Sequence, residues 1–324
     1  MIVVGCYFGI TPWNMNRLSI DESDLSFSIL IFGIFFVLSN QIAGRILVPK
    51  YGTKLVMSLA FPLITFSTLL SIISPSYFYF LLTFIPAGIG WGASGPIGGI
   101  HCQLIEKHFK KIITPYYAMG FNIGILVGGG LAGIIMRYSF EPFMFFLVLS
   151  FSSILVALLV LHLGLPSNLD FKGKGEKFKI PESNVLIFGF LLFFVFGSGG
   201  IIMDWSTLWL SKDLNAPLYL ASMGLIFFSI GGILANLFSN SLIDLFTEKV
   251  VGCHFVMIGA SIMLLSLLTN NFYIILGVLC IYGFAIANLV PIVIRQAVMQ
   301  SNESIPMTVT NLITIGLSST MIMP

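Results

Sequence analysis

The chain has 324 residues, of which 57% are hydrophobic and only 9% are charged, with a net charge of +2. An ordinary soluble domain carries about 25% charged residues, so this composition excludes a water-exposed globular protein and favours a lipid bilayer as solvent. The small net charge argues against a nucleic-acid partner. Four cysteines without a CxxC pair argue against a metal centre or a disulfide framework.

Long apolar segments follow one another along the chain and predict membrane-spanning helices, because about 20 apolar residues cross the hydrocarbon core as a helix. No segment alternates with the period of a membrane β-strand, so an all-α membrane protein is expected. Partial segments at both chain ends bring the number of predicted spans to eleven. In chain order, the predicted spans are 2–13, 25–47, 55–74, 77–105, 113–136, 143–165, 184–210, 218–243, 250–268, 272–298 and 308–324.

One long, polar connection predicts a division into two membrane bundles. The expected domains are an N-terminal bundle 1–166 with spans one to six, a cytoplasmic linker 167–183, and a C-terminal bundle 184–324 with spans seven to eleven. Twelve of the 15 lysines and arginines fall on the side of this linker. The positive-inside rule assigns that side to the cytoplasm, and the predicted location is the bacterial inner membrane.

The two halves repeat at an offset of 195 residues. Three landmarks keep this register: a Leu-Ile-Phe run, a loop that ends in lysine, and a Gly…Pro pair spaced by eight. The matched residues are Leu30-Ile31-Phe32 with Leu225-Ile226-Phe227, Leu47…Lys54 with Leu242…Lys249, and Gly88…Pro96 with Gly283…Pro291. Duplicated halves in one orientation are typical of secondary transporters.

The same offset predicts that the chain covers its architecture incompletely. Met1 corresponds to Phe196, inside the seventh span, and Pro324 corresponds to Gly129, midway through the fifth. The first span is therefore expected to lack its cytoplasmic half, the eleventh to be cut, and a twelfth to be missing. A non-functional fragment, unstable in the membrane, is accordingly the alternative to a working transporter.

The loop between spans two and three carries a family signature. Members of the Major Facilitator Superfamily have G-x-L-x-D-R-x-G-R-[RK] there. This chain has G-R-I-L-V-P-K-Y-G-T-K over Gly44–Lys54, with one extra residue and Pro49 at the position of the acid. The second half keeps the acid as Asp244. The sequence resembles this superfamily over essentially its whole length.

The resemblance implies an all-α major facilitator fold of two pseudo-repeated six-helix bundles, here with about eleven spans of which the first and last are incomplete. It also implies that the signature loops control a conformational change. The matching loop residues are Arg45, Lys50, Gly52 and Asp244. The pair Asp204-Trp205 and the Asn288…Pro291 pattern are similar to a bacterial, sugar-permease-like branch of the superfamily.

Asp204 is an acid well within an apolar run. A carboxylate at mid-membrane costs roughly 3 kcal/mol on insertion scales, so such a residue usually faces a cavity and serves transport. The alternative is a solvated acid at the periplasmic end of span seven. Trp205 beside it fits either a stacking platform for a polyol or cation, or an aromatic of the membrane interface.

Three further residues near mid-helix are candidates for the solute pathway: Trp91 in span four, Asn122 in span five and Asn288 in span ten. In the family that the chain resembles, spans one, four, seven and ten line the cavity. This implies that Trp91, Asp204 and Asn288 face it. The alternative for each asparagine is a hydrogen bond between helices.

The glycines predict helix packing rather than nucleotide binding. Gly88–Ala93 matches G-x-G-x-x-A, but no strand precedes it and it lies within a spanning helix, which excludes a dinucleotide site. Small residues at every fourth position of span five predict close packing against a neighbouring helix. They are Gly120, Gly124, Gly128 and Ala132.

The leading hypothesis is secondary active transport of a small hydrophilic solute by alternating access, with a sugar or related metabolite as candidate. The expected partners are this solute, the bilayer, and a coupling proton or sodium ion; no cofactor, metal ion or nucleic acid is expected. A membrane-embedded enzyme would need paired acids, histidines or cysteines within the spans, and only isolated ones occur, so no catalytic residue is predicted. No G-x-x-x-x-G-K-[ST] loop is present, which excludes nucleotide-driven transport by this chain alone.

Overall fold

The computed structural model describes residues 1–164, 170 and 180–322, and all regular structure within them is helical. Most of the predicted linker 167–183 lies outside the described residues. Apolar segments in lipid form helices because every backbone group must find its partner within the segment. The α-helices are α1 (Ile2–Gly9), α2 (Thr11–Leu18), α3 (Glu22–Ile42), α4 (Val48–Ile73), α5 (Tyr77–Phe109), α6 (Thr114–Arg137), α7 (Pro142–Leu163), α8 (Ser183–Lys212), α9 (Leu218–Ala221), α10 (Met223–Leu237), α11 (Ser239–Lys249), α12 (Phe255–Ser266), α13 (Phe272–Ala287), α14 (Leu289–Gln300) and α15 (Ile305–Leu317).

Eight helical segments of the described chain are long and apolar enough to cross a membrane. They are Glu22–Ile73, Tyr77–Phe109, Thr114–Arg137, Pro142–Leu163, Ser183–Lys212, Leu218–Leu237, Ser239–Ser266 and Phe272–Gln300. The first of them covers two predicted spans, 25–47 and 55–74, in one helical segment. The multi-span membrane class is confirmed, while the number of eleven spans stays a prediction.

Two predicted loops are helical instead. Residues 48–54 were expected to connect two spans, but the helix there is interrupted only at Gly52, where φ is 81° and ψ is 165°. The second-half loop is interrupted in the same way at Thr247, with φ 72° and ψ 154°. A π-helical turn lies near each break, at Ala43–Leu47 and at Val250–His254. One residue with positive φ redirects a helix without a run of turn residues, so hydropathy does not reveal it.

Equivalent helix contacts recur in the two halves. A Cβ on Gly88 would lie 2.5 Å from the carbonyl oxygen of Phe32, so α5 approaches the backbone of α3. At the position 195 residues later, Gly283 of α13 meets the carbonyl oxygen of Phe228 in α10. Glycine, which has no Cβ, permits this approach. The repeat that the sequence predicts is therefore present in the helix packing.

Contacts divide the chain into two compact units. Unit 1 comprises Met1–Arg17, Thr114–Glu141 and Ser198–Ile292, and unit 2 comprises Leu18–Ile113, Pro142–Gly197 and Val293–Pro324. Each unit contains helices from both predicted halves, and α8 contributes its first part to unit 2 and its second part to unit 1. The division into the bundles 1–166 and 184–324 stays a prediction.

Different kinds of contact stabilise the interior of each unit. In unit 1, an apolar cluster joins α8, α10 and α13 and includes Leu210, Phe228 and Leu279. In unit 2, α7 is hydrogen-bonded to α4: Ser150 Oγ donates to the carbonyl oxygen of Thr65 at 3.0 Å. Such bonds contribute about 0.6 kcal/mol each on average between membrane helices, so close packing supplies most of the stability.

Helix α6, the predicted span five, packs through its small residues as expected. Gly128 meets the backbone of α1, Gly124 meets Met1 just before that helix, and Ala132 meets Gly9 within it. A second set of glycines on α6 faces α10, since a Cβ on Gly129 would lie 3.3 Å from Ile226. A Cβ on Gly120 would meet no atom of another described element within 4 Å, so the predicted packing face is confirmed from Gly124 onward.

Candidate functional site

Asp204 and Trp205 lie within the second part of α8, in unit 1, and both are partly exposed. Eight residues follow Asp204 before the helix ends at Lys212, which corresponds to about 12 Å of helix rise. Asp204 therefore does not cap α8, while the alternative of a solvated acid near the periplasmic surface stays a prediction. Within the described residues, the Asp204 carboxylate has no hydrogen-bond or ion-pair partner.

The face of α8 that carries Asp204 is next to α1. Thr207 Oγ1 donates a hydrogen bond to the carbonyl oxygen of Phe8 at 3.1 Å. Residues three apart share a helix face, so Asp204 lies about one turn from this contact between α8 and the helix of predicted span one. Trp205 is rotated by about 100° around the helix from Asp204.

Asn122 and Asn288 both reach the same turn of α10. A Cβ on Gly232 would lie 2.8 Å from the side-chain amide of Asn122. Asn288 Nδ2 donates to the carbonyl oxygen of Ala235 at 3.0 Å, so the hydrogen bond between helices that was the alternative for this residue is present. For Asn122 it is not, because its Nδ2 donates to Ala118 of its own helix at 3.1 Å.

A third asparagine lies on this turn of α10. Asn236 Nδ2 donates to the carbonyl oxygen of Gly232 at 2.9 Å, and the side chain is 1% exposed. The sequence analysis did not select this residue. The structure thus brings two of the predicted pathway residues, Asn122 and Asn288, together around a turn that carries a further amide.

Trp91, the remaining pathway candidate, belongs to unit 2. It lies in α5, is partly exposed, and its ring meets Phe32 of α3 edge to face, with ring centroids 6.4 Å apart. The four other candidates, by contrast, all lie in unit 1.

Arg45, a predicted loop residue, lies in the π-helical turn after α3 and is only 5% exposed. Its Nε donates to Gln41 Oε1 at 2.5 Å, and one terminal nitrogen donates to Asn311 Oδ1 at 2.8 Å. Asn311 Nδ2 donates in turn to Glu303 Oε2 at 3.0 Å, and Glu303 Oε1 accepts from the backbone N–H of Glu182 at 3.3 Å. The buried Arg45 guanidinium therefore joins α3 to α15 through the side-chain amides of Gln41 and Asn311. Asn311 is in turn hydrogen-bonded to the Glu303 carboxylate.

Gly52 and Lys50 differ sharply in their surroundings. Lys50 is exposed, with its Nζ 5.0 Å from the centre of the Tyr51 ring. Gly52 lies against Asp170: a Cβ at this position would overlap Asp170 Oδ2. The backbone N–H of Thr53 donates to both Asp170 carboxylate oxygens, at 2.9 and 3.1 Å, and Thr53 Oγ1 donates to Oδ1 at 2.8 Å. The acid thereby accepts a hydrogen bond from the backbone N–H that directly follows the helix break.

Asp244, the acid of the second-half loop, is exposed and lies three residues before the break at Thr247. None of the described residues forms a hydrogen bond or ion pair with its carboxylate. It therefore does not take the role that Asp170 has in the first loop.

Asn236, Asn311 and Asp170 were not predicted from the sequence. Asn236 carries the same signal as Asn288, an amide within an apolar run, and applying that rule throughout would have selected it. Asp170 has no local signal, because its partner Thr53 is 117 residues away in the chain. Among the described residues, no group of three or more His, Cys, Asp or Glu side chains could hold a metal ion.

Comparison with known proteins identifies the family. The sequence model of the Major Facilitator Superfamily matches residues 1–322. A relative from Yersinia pestis, described as an uncharacterized MFS-type transporter, is 23% identical over 318 residues; the match covers 95% of this chain and 79% of the relative.

Two solved structures have a similar fold. The D-xylose-proton symporter is 14% identical with a TM-score of 0.69, and the match covers 99% of this chain and 86% of the symporter. The nucleoside transporter NupG is 12% identical with a TM-score of 0.66, and the match covers 99% of this chain and 88% of NupG. At this identity the likeness shows the fold, and the predicted all-α major facilitator fold is confirmed.

Proposed function

The chain belongs to the Major Facilitator Superfamily, and from this premise we propose that it moves a small hydrophilic solute across a bilayer by alternating access. The observation that carries the proposal is Asp204. An acid without a partner inside a membrane-spanning helix is costly, and residues of this kind usually serve a solute or ion pathway.

A sugar or a related metabolite is the proposed solute class. One protein of similar fold is a D-xylose-proton symporter and the other a nucleoside transporter; D-xylose and nucleosides both carry several hydroxyl groups. Asn122, Asn288 and Trp205 offer amide and aromatic groups of the kind that bind hydroxylated solutes. We propose a proton as the coupling ion, with sodium as the alternative, because a carboxylate inside a membrane-spanning helix commonly serves a proton or ion pathway.

The proposal is tested by reconstituting the protein in liposomes that contain a pH-sensitive dye and adding sugars and nucleosides one at a time. Wild-type protein is expected to acidify or alkalinise the lumen when its solute is present. Asp204→Asn is expected to abolish this proton flux, with a loss of more than about tenfold in rate. Asp213→Asn is the matched control, because Asp213 is an exposed acid just beyond the end of the same helix.

One result would contradict the role of Asp204, and another would contradict proton coupling. Proton flux and uptake at wild-type rates in Asp204→Asn would leave this acid without a part in transport. A dependence on a sodium gradient, with no solute-driven pH change, would replace the proton by sodium. Size-exclusion profiles of both variants must match the wild type, so that a loss of flux is not a loss of folded protein.

We further propose the bacterial inner membrane as the location, with the linker 167–183 in the cytoplasm. The support is the asymmetry of basic residues, twelve of 15 on one side. A reporter fused after Lys177 is expected to behave as cytoplasmic and one fused after Ala216 as periplasmic. The reverse labelling at both positions would overturn this orientation.

A further inference from the structure

Three asparagines from three helices converge on one turn of α10, Gly232–Asn236. Asn122 of α6 reaches Gly232, Asn288 follows α13 and bonds to Ala235, and Asn236 belongs to the turn itself. All three lie in unit 1. Side-chain amides are rare inside apolar spans, so three that meet at a single turn need an explanation.

The orientation of each amide is fixed by the bond that it makes. Each Nδ2 donates to a backbone carbonyl oxygen, that of Ala118, Gly232 or Ala235. A carbonyl oxygen only accepts, so the group that faces it must be the NH₂ and not the amide oxygen. The three Oδ1 atoms therefore point away from these bonds and remain as acceptors.

None of these oxygens has a hydrogen-bond partner among the described residues. Asn236 Oδ1 and Asn288 Oδ1 are buried, in side chains that are each 1% exposed, while Asn122 is partly exposed. A buried acceptor without a donor is unfavourable, because water satisfied it before folding. Only a group with O–H or N–H can satisfy these atoms.

Positive side chains are absent from the interior of this unit as far as the structure describes it. Its arginines and lysines all lie in the last turn of a helix; they are Arg17, Arg137, Lys212 and Lys249. An anionic solute at this turn would therefore meet amide oxygens and no lysine or arginine of this unit. The balance of groups favours a solute that donates hydrogen bonds and carries no negative charge.

We propose that Asn122, Asn236 and Asn288 form an acceptor cluster that selects an uncharged, hydroxyl-rich solute and rejects carboxylates and phosphates. The inference rests on the proposed transport function and narrows its solute class. Asn236 enters as a specificity-determining residue. Two of the amide oxygens, those of Asn236 and Asn288, are buried in this structure. A solute therefore reaches them when the alternating-access motion exposes this turn of α10.

The test compares solutes with one carbon skeleton and different charge. Purified protein is assayed for thermal stabilisation and for uptake in liposomes with D-xylose, xylitol and xylonate, and with ribonucleosides against their monophosphates. Neutral members are expected to stabilise and to be taken up, and the anions to do neither. Asn236→Leu, which keeps the volume and removes the amide, is expected to weaken the apparent affinity for the neutral solute about tenfold.

Two further variants separate a binding role from a packing role. Asn236→Gln retains an amide and is expected to restore part of the affinity. Ser261→Leu removes an exposed hydroxyl that also bonds to its own helix, 2.9 Å from the carbonyl oxygen of Met257, and is expected to leave affinity unchanged. Loss of stability without loss of affinity in Asn236→Leu would assign the amide to packing and overturn the proposal.

The outcomes also distinguish this inference from the proposed function. Uptake of xylonate or of a nucleoside monophosphate by wild-type protein overturns the acceptor cluster as the selective element while transport itself stands. Absence of uptake for every neutral and anionic solute contradicts the transport function, and the acceptor cluster with it.

Discussion

The two helix breaks, at Gly52 and at Thr247, are 195 residues apart and have nearly the same backbone angles, φ 81° and ψ 165° against φ 72° and ψ 154°. The repeat therefore extends to single dihedral angles. The residues that adopt them differ. Glycine takes a positive φ without steric cost, while a β-branched threonine there is strained because its Cβ crowds the backbone.

The acids near the two breaks differ as well. Asp244 lies at the position that corresponds to Pro49 under the offset, yet it is exposed and unbonded in the described structure. The first loop has no acid of its own and receives Asp170 from 117 residues along the chain. The comparison teaches that a repeated backbone conformation does not imply repeated chemistry, because the partner of a break can come from anywhere in the fold.

The largest effect is expected for Gly52→Ala. The new Cβ would overlap Asp170 Oδ2, and the alanine would have to adopt the positive φ of this position. A loss of about 2–3 kcal/mol in the free energy of unfolding is therefore expected. The thermal midpoint in detergent, followed by size-exclusion chromatography, measures it. Gly277→Ala is the control, since a Cβ on this helical glycine would meet no atom of another described element within 4 Å; it should be neutral or slightly stabilising.

A second prediction removes the acid. Asp170→Ala should cost about 1.5–2 kcal/mol, because the N–H and hydroxyl of Thr53 lose a charged acceptor. Asp170→Asn should cost less, since an amide oxygen still accepts. Combined with Gly52→Ala, the Asp170→Ala change should cost less than alone, because it relieves the overlap. Strict additivity of the two changes would contradict the contact between them.

The third prediction concerns the strained break in the second half. Thr247→Gly should stabilise the protein by about 1 kcal/mol, because glycine removes the steric cost of φ 72°. Thr247→Ala should change the thermal midpoint little, because alanine keeps the Cβ. Equal stabilisation by both substitutions would mean that the threonine side chain, rather than the backbone angle, is the source of the strain.

The smallest effect is expected for Asp244→Asn. An exposed acid without a partner contributes little, so a change within about 0.5 kcal/mol is expected. Measured beside Asp170→Asn under the same conditions, it gives the contrast between the two loops directly. A loss as large as that of Asp170→Asn would show that the second loop, too, depends on its acid.

The ends of helices could be predicted from the sequence where a single charged residue or proline marks them. Predicted spans 113–136 and 143–165 agree with Thr114–Arg137 and Pro142–Leu163 because charge and proline mark their ends. The breaks at Gly52 and Thr247 were not predictable as breaks within helices, since one dihedral angle leaves no trace in hydropathy.

The candidate site was predictable in part for a similar reason. An amide or acid inside an apolar run is visible in the sequence, which is how Asp204, Asn122 and Asn288 were selected. The meeting of Asn122 and Asn288 at one turn of α10 was not visible, because it depends on how the helices pack. Asp170 could not be found at all, since nothing near Thr53 indicates a partner from the central connection.

The hydrogen bonds between Thr53 and Asp170 also divide the central connection between α7 and α8 into two shorter stretches. From the end of α7 at Leu163 to Glu182, the chain has 19 peptide links and a maximum reach of about 68 Å. Asp170 divides this stretch into seven links before it and 12 links after it, and the longer part has a maximum reach of about 43 Å. One carboxylate bound at Thr53 thus shortens the longest stretch between two held points of the connection from 19 links to 12.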